Sequence, residues 1–161
     1  MFLGLALCLM VIIFCLSSQN AEASSDTSGG LIRFIMGVFA PKFEELSNTE
    51  QENLVASFQF FTRKSAHAGV YMLLSFLLSA AWLQLEGIKP FLRVALGWLI
   101  AVLYSVSDEI HQLFIPGRSG ELRDVFIDSC GAAVGTLVVF LIWKLMNFKR
   151  KNFQLLKNKR N

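Results

Sequence analysis

The residues able to do chemistry in this chain fall into two short stretches. In the first, Arg63-Lys64-Ser65-Ala66-His67 is followed at helical spacing by Tyr71. On a helix, His67 and Tyr71 share a face and Arg63 lies one turn before His67. The second holds Asp108, Glu109, His111 and Gln112, a Pro116-Gly117-Arg118-Ser119-Gly120 turn, and then Arg123, Asp124 and Asp128. There Asp108 can face His111 or Gln112, Glu109 can face Gln112, and Asp124 and Asp128 are again four apart. Acid–base work is open to such a set, with Glu109 or Asp128 partly desolvated beside a histidine such as His67. A metal site from His67, His111, Asp108 and Asp124 has no H-x-x-x-H or C-x-x-C pair behind it, so no metal is assigned. Ser107 and Ser119 lack the G-x-S-x-G context of a serine nucleophile. The third option is binding without chemistry, with arginines gripping a phosphate or carboxylate of an amphiphile. The residues alone leave enzyme and binder level, and they name no cofactor.

The elements that must position these residues are membrane helices. The chain has 161 residues, 54 % of them hydrophobic and 17 % charged, against roughly 45–50 % and about 25 % in soluble domains. Mean hydropathy is +0.52. One domain of this composition excludes a multi-domain enzyme, an ordinary water-soluble enzyme and a disordered chain. Four apolar segments stand out: Met1–Leu16, about Ala66–Leu85, Phe91–Ser107 and about Val125–Met146. A span takes about 20 residues, with a range of roughly 17–25, so the last three qualify and the first is marginal. Leu85-Glu86-Gly87-Ile88-Lys89-Pro90 reads as a short hairpin connection. The expected fold is all-α, a polytopic bundle of about four transmembrane helices. Cys8, Cys15 and Cys130 lie in apolar runs without disulfide or zinc spacing and read as small buried residues.

Orientation follows from Lys and Arg. After the fourth segment come Lys144, Lys149, Arg150, Lys151, Lys157, Lys159 and Arg160 with no acid, which suits the cytoplasm and anionic lipid rather than nucleic acid. Lys89 and Arg93 then also fall inside. Residues 17–62 carry Glu22, Asp26, Glu44, Glu45, Glu50 and Glu52 against only Arg33 and Lys42 and suit the outside, so both termini are expected in the cytoplasm of a multi-pass plasma-membrane protein. Ala21-Glu22-Ala23 offers a signal-peptidase pattern, but no positive n-region precedes the first segment, and a retained helix is expected. Within 17–65, Ser24–Gly30 reads as flexible and Leu31–Phe39 as a short interfacial amphipathic helix. Ser47-Asn48-Thr49-Glu50 fits a capping box opening a helix through Phe61, whose aromatics suit interfacial anchoring.

This topology puts the ionisable residues at the outer ends of helices two, three and four. A charge at the centre of a span costs at least about 2.5–3.5 kcal/mol, and less near its ends, so it is normally paired or functional. Arg63, Lys64, Arg118 and Arg123 can pair with Asp108, Glu109, Asp124 and Asp128 as a lock between helices. Such a lock does not need His67, Tyr71 and His111, which favours a site.

The run from Ser107 to Asp128, S-D-E-I-H-Q-L-F-I-P-G-R-S-G-E-L-R-D-V-F-I-D, closely resembles the signature of the VanZ-like family. Arg63-Lys64-x-x-His67-x-x-x-Tyr71 is similar to its second motif, and Ser17-Ser18-Gln19 to a weaker third. The start departs from the family in lacking the lysines common there, so either the tail sets orientation or the true start lies upstream. The resemblance implies a small bacterial membrane protein of about four helices, with 66–146 as its core, 1–16 as helix one and 147–161 as a basic tail. It places His67, Tyr71, Glu109, Gln112, Arg118, Arg123, Asp124 and Asp128 at motif positions and implies no reaction. The family's namesake is associated with resistance to teicoplanin, an acylated glycopeptide acting on lipid-linked wall precursors outside the cell. The expected partners are therefore membrane lipids and a lipid-linked envelope precursor. In that picture Arg118 and Arg123 hold an anionic head group, and Glu109, Asp128 and His67 move protons. A homo-oligomer is also open to the chain, since four helices would have to dimerise to make a transport pathway.

Overall fold

Residues 1–158 are described by a computed structural model. Helix α1 (Phe2–Ser17) turns by 112° into α2 (Ala21–Phe39). A single 3-10 turn at Pro41–Phe43 leads to α3 (Asn48–Trp82), which is followed by α4 (Pro90–Gln112) and α5 (Leu122–Asn158). The caps explain the starts. Asn20 Oδ1 accepts from Ala23 N at 2.8 Å. Ser47 and Glu50 form the reciprocal capping box expected of them. Pro90 supplies a preset φ at the start of α4.

Two stretches differ from expectation. Ser24–Gly30 is helical throughout, because its hydroxyls bond back along the helix and α3 holds its backbone. Thr27 Oγ1 donates to Ala23 O at 2.9 Å, and Gln59 Nε2 of α3 donates to Ser25 O at 2.8 Å. A small cluster of Ile32, Phe43 and Val55 closes this contact. Likewise, the capping-box helix and the second apolar segment are one continuous α3, since no proline breaks the chain between them. At 35 residues it is about 50 Å long, well beyond a single span. Helix α5 similarly continues through the start of the basic tail, whose Lys159 and Arg160 lie outside the described residues.

Helices α3, α4 and α5 are each long and apolar enough to cross a membrane, and the bent α1–α2 pair makes up to four. The outward faces support this. Leu99, Leu103, Val106 and Ile110 form one exposed stripe on α4, and Val134, Leu137, Leu141 and Leu145 another on α5. Cys8, Cys15 and Cys130 are exposed rather than buried. In a membrane bundle the lipid-facing side is as apolar as the interior, so an apolar neighbourhood in sequence does not distinguish the two.

Small residues let the bundle close. A Cβ at Gly131 or Gly135 of α5 would collide with the backbone of Ala68 or Met72 in α3, and one at Gly97 of α4 with Ser79. This Gly131-x-x-x-Gly135 seam brings α3 and α5 into backbone contact. Hydroxyls join both neighbours of α3, with Ser75 Oγ and Thr136 Oγ1 of α5 at 2.6 Å and Ser79 Oγ donating to Val94 O of α4 at 3.1 Å. Tyr71, Leu74, Leu78, Ala101 and Ala132 fill the core between the helices.

Candidate functional site

The polar residues of both motifs meet at one end of the bundle. The middle of α3 supplies Arg63, Lys64, His67 and Tyr71. The last turns of α4 supply Asp108, Glu109, His111 and Gln112, the connecting turn Arg118, and the first turns of α5 Arg123, Asp124 and Asp128. Tyr71, Asp108, Glu109, Gln112 and Asp128 are all buried, Asp128 to 1 % exposure.

Two cavities open here. One, of about 350 Å³, lies between α1, α2 and α3. Ile13, Leu16, Leu31 and Val70 give it apolar walls, Ser24, Thr27 and Ser28 of α2 line it, and Tyr71 and Asp108 reach it from the bundle. The other, of about 420 Å³, is polar and is lined by Lys64, Gln112, Ser119, Glu121 and Asp124 among others. Arg63, His67 and Arg118 belong to both. Arg63, His67 and Tyr71 therefore do share one helix face, and it is the face turned to the apolar cavity.

The remaining expected residues do other work. Glu109 Oε2 accepts from Glu121 N at 2.8 Å and so holds the turn between α4 and α5. Asp128 Oδ2 accepts from Ser105 Oγ at 2.9 Å. Ring stacking places His111 on Phe14 at 4.7 Å, and its Nε2 lies 3.1 Å from Ser18 Oγ. Arg123 is exposed, with its guanidinium 5.4 Å from the Phe60 ring centroid. Neither cavity is lined by Glu109, His111, Arg123 or Asp128. Gln112 Nε2 ties two motifs together, donating to Ser17 Oγ of α1 at 3.1 Å and to Asp108 Oδ2 at 3.4 Å.

Charge pairing is sparse. Lys64 and Asp124 form the one ion pair among the described residues, bridging α3 and α5. Arg63, Arg118 and Arg123 make no ion pair with Asp108, Glu109 or Asp128 among them. Instead Tyr71 Oη, Glu109 Oε1, Arg118 Nε and Asp128 Oδ1 are buried with no hydrogen-bond partner among the described residues. Burial first, and then the neighbouring positive charge of Arg63, pushes the Arg118 guanidinium below its ordinary value. Buried polar atoms without partners are rare, and four at one end of a bundle mark a place built for something other than packing. Among the described residues, no group of three or more His, Cys, Asp or Glu side chains is placed to hold a metal ion.

The arrangement sets an apolar cavity beside a polar one, with Arg63, His67 and Arg118 common to both. Tyr71 and Asp108 line the apolar one. Sequence reasoning missed the α2 wall and the roles of Ser17 and Ser105. Ser17 was signalled by the third motif, whereas nothing in the α2 sequence announces that it covers a cavity.

Fold and site together define a helical membrane protein with a partly unpartnered polar centre at one end of its bundle. The chain matches the VanZ/LLP1 family over residues 2–144 and belongs to that family. No curated protein and no solved structure matches it.

Proposed function

We propose that this chain is a multi-pass plasma-membrane protein with both termini in the cytoplasm, whose polar end faces the outer leaflet. There it binds or modifies an amphiphilic envelope lipid or cell-wall precursor and lowers susceptibility to teicoplanin. The observation that supports this is the meeting of an apolar and a polar cavity at Arg63, His67 and Arg118. An amphiphile presents the matching pair of surfaces, and arginine suits an oxyanion head group. Arg63 takes the place that the picture built on the family resemblance had given to Arg123, because it lines both cavities and Arg123 lines neither. His67 is the proton-transfer candidate on the cavity wall, whereas Glu109 and Asp128 line neither cavity. The test is teicoplanin susceptibility, with non-acylated vancomycin as control, in cells expressing wild type or Arg118→Gln at matched membrane levels. Wild type should protect selectively and the variant should lose most of that protection. Equal protection by both, or none by either, would overturn the reading.

A non-enzymatic accessory protein, whose charges only lock the bundle, is favoured by one observation, the Lys64–Asp124 pair across α3 and α5. Replacing both partners at once by Lys64→Met and Asp124→Leu separates the two. A lock tolerates the double change, whereas a site loses protection while the protein still accumulates.

A further inference from the structure

Building on the amphiphile reading above, we infer that the ligand is a single-chain amphiphile with an oxyanion head, its chain lying between α1 and α2 and its head on Arg63 and Arg118. The head position follows from two unpaired guanidinium groups. At the junction of the cavities, Lys64 is neutralised by Asp124, and Asp108 is the only carboxylate that lines the apolar cavity beside the two arginines. Glu121 lines the polar cavity, so over both cavities the formal charges balance, and it is the lack of pairing rather than an excess of charge that leaves the arginines open. Neither arginine forms an ion pair among the described residues, and Arg118 Nε is buried without a partner among them. Two neighbouring guanidinium groups repel each other unless an anion lies between them, and their planar forks match a phosphate or a carboxylate.

The chain position follows from shape. A cavity of about 350 Å³ has room for roughly a dozen water-sized groups, the bulk of one hydrocarbon chain rather than two. Its apolar wall is split between α1 and α3 on one side and Leu31 of α2 on the other. The 112° bend after α1 brings α2 across it, so α2 roofs the chain. The turn carrying Arg118 holds that roof at its hinge end, through Ala21 N donating to Pro116 O at 3.3 Å.

The test measures binding to the purified full chain in a non-ionic detergent, with dodecyl phosphate as probe. Dodecanoate, dodecyltrimethylammonium, didodecyl phosphate and inorganic phosphate are the comparators. Dodecyl phosphate or dodecanoate should bind at least tenfold more tightly than the other three, and whichever is tighter identifies the head group. Arg63→Gln and Arg118→Gln should each weaken that binding about tenfold or more, with part of it restored by lysine at the same position. Thr27→Trp, which fills the apolar cavity from an exposed position on α2, should weaken it with thermal unfolding unchanged. Equal binding of the ammonium amphiphile, or indifference to both arginine changes in folded protein, would overturn the head assignment and leave the amphiphile reading standing. Equal binding of didodecyl phosphate would overturn the single chain. Inorganic phosphate binding as well as dodecyl phosphate would make this a free-anion site. Failure of every amphiphile to bind would overturn the proposal and the amphiphile reading together.

Discussion

Asp128 sits inside an apolar helix at 1 % exposure, and its one side-chain hydrogen bond among the described residues comes from Ser105 Oγ at 2.9 Å. A buried carboxyl with one partner is more sensitive to loss of that partner than to joint removal of both groups. Ser105→Ala should therefore destabilise the protein by about 1–3 kcal/mol, the usual cost of an unsatisfied buried polar group. The pair Ser105→Ala with Asp128→Leu should unfold at a higher temperature than Ser105→Ala alone. Thermal unfolding of the purified variants in one detergent checks this, and a double variant less stable than the single one would mean that Asp128 has partners beyond Ser105. At this scale the sequence was partly legible. The four-residue spacing of His67 and Tyr71 correctly placed them on one face. What spacing could not decide was whether a side chain turns to a cavity or to a neighbouring helix. Asp124 and Asp128 are also four apart, yet one pairs with Lys64 and the other with Ser105.

At the scale of elements, apolar segments and a capping box announced α1, α3, α4 and α5 well, because length and hydropathy are what a membrane selects. Their extents were less legible. Arg63 and Lys64 looked like the edge of a span, but charged residues do not end a helix when their side chains find partners or water. The α3–α5 contact runs along Gly131-x-x-x-Gly135, a spacing that was not read from the sequence, where a Cβ at either glycine would meet the backbone of α3. Gly135→Leu should force the helices apart and reduce accumulation in the membrane severalfold. Gly4→Leu on α1, where a Cβ meets nothing within 4 Å, should leave accumulation unchanged. Quantitative immunoblotting of membrane fractions reads both, and a well-accumulating Gly135→Leu protein would mean that this seam is not what holds α5 to α3. Helix α2 was the least legible element. Its Ser24–Gly30 half has the composition of a linker, and what keeps it helical is the Asn20 cap, its own back-bonding hydroxyls and the contacts with Gln59 and Val55 of α3, whereas Leu31–Phe39 was expected to be helical.

For the whole molecule, sidedness decides what the site can meet, and it rests on charge distribution rather than on any single contact. The site end carries Arg63, Lys64, Arg118 and Arg123 as well as acids, so its own cations weigh against an outward position, whereas the far end of α5 carries Lys144, Lys149 and Arg150 with no acid after Asp128. The rule counts Lys and Arg near span ends and gives acids little weight. An outward site end would need its cations held by structure, and among the described residues Lys64 is the one held in an ion pair, with Asp124. Ser119 lies in the turn between α4 and α5 at the site end, and Lys149 near the other end of α5; both are exposed. In a protein freed of Cys8, Cys15 and Cys130, Ser119→Cys and Lys149→Cys can be probed separately with a membrane-impermeant maleimide on intact cells. Labelling should occur at position 119 and be absent at 149 until the cells are opened. The reverse pattern would place the two cavities against the inner leaflet, and the link to an agent acting outside the cell would fall, while the single-chain oxyanion site would remain to be filled from the cytoplasmic side.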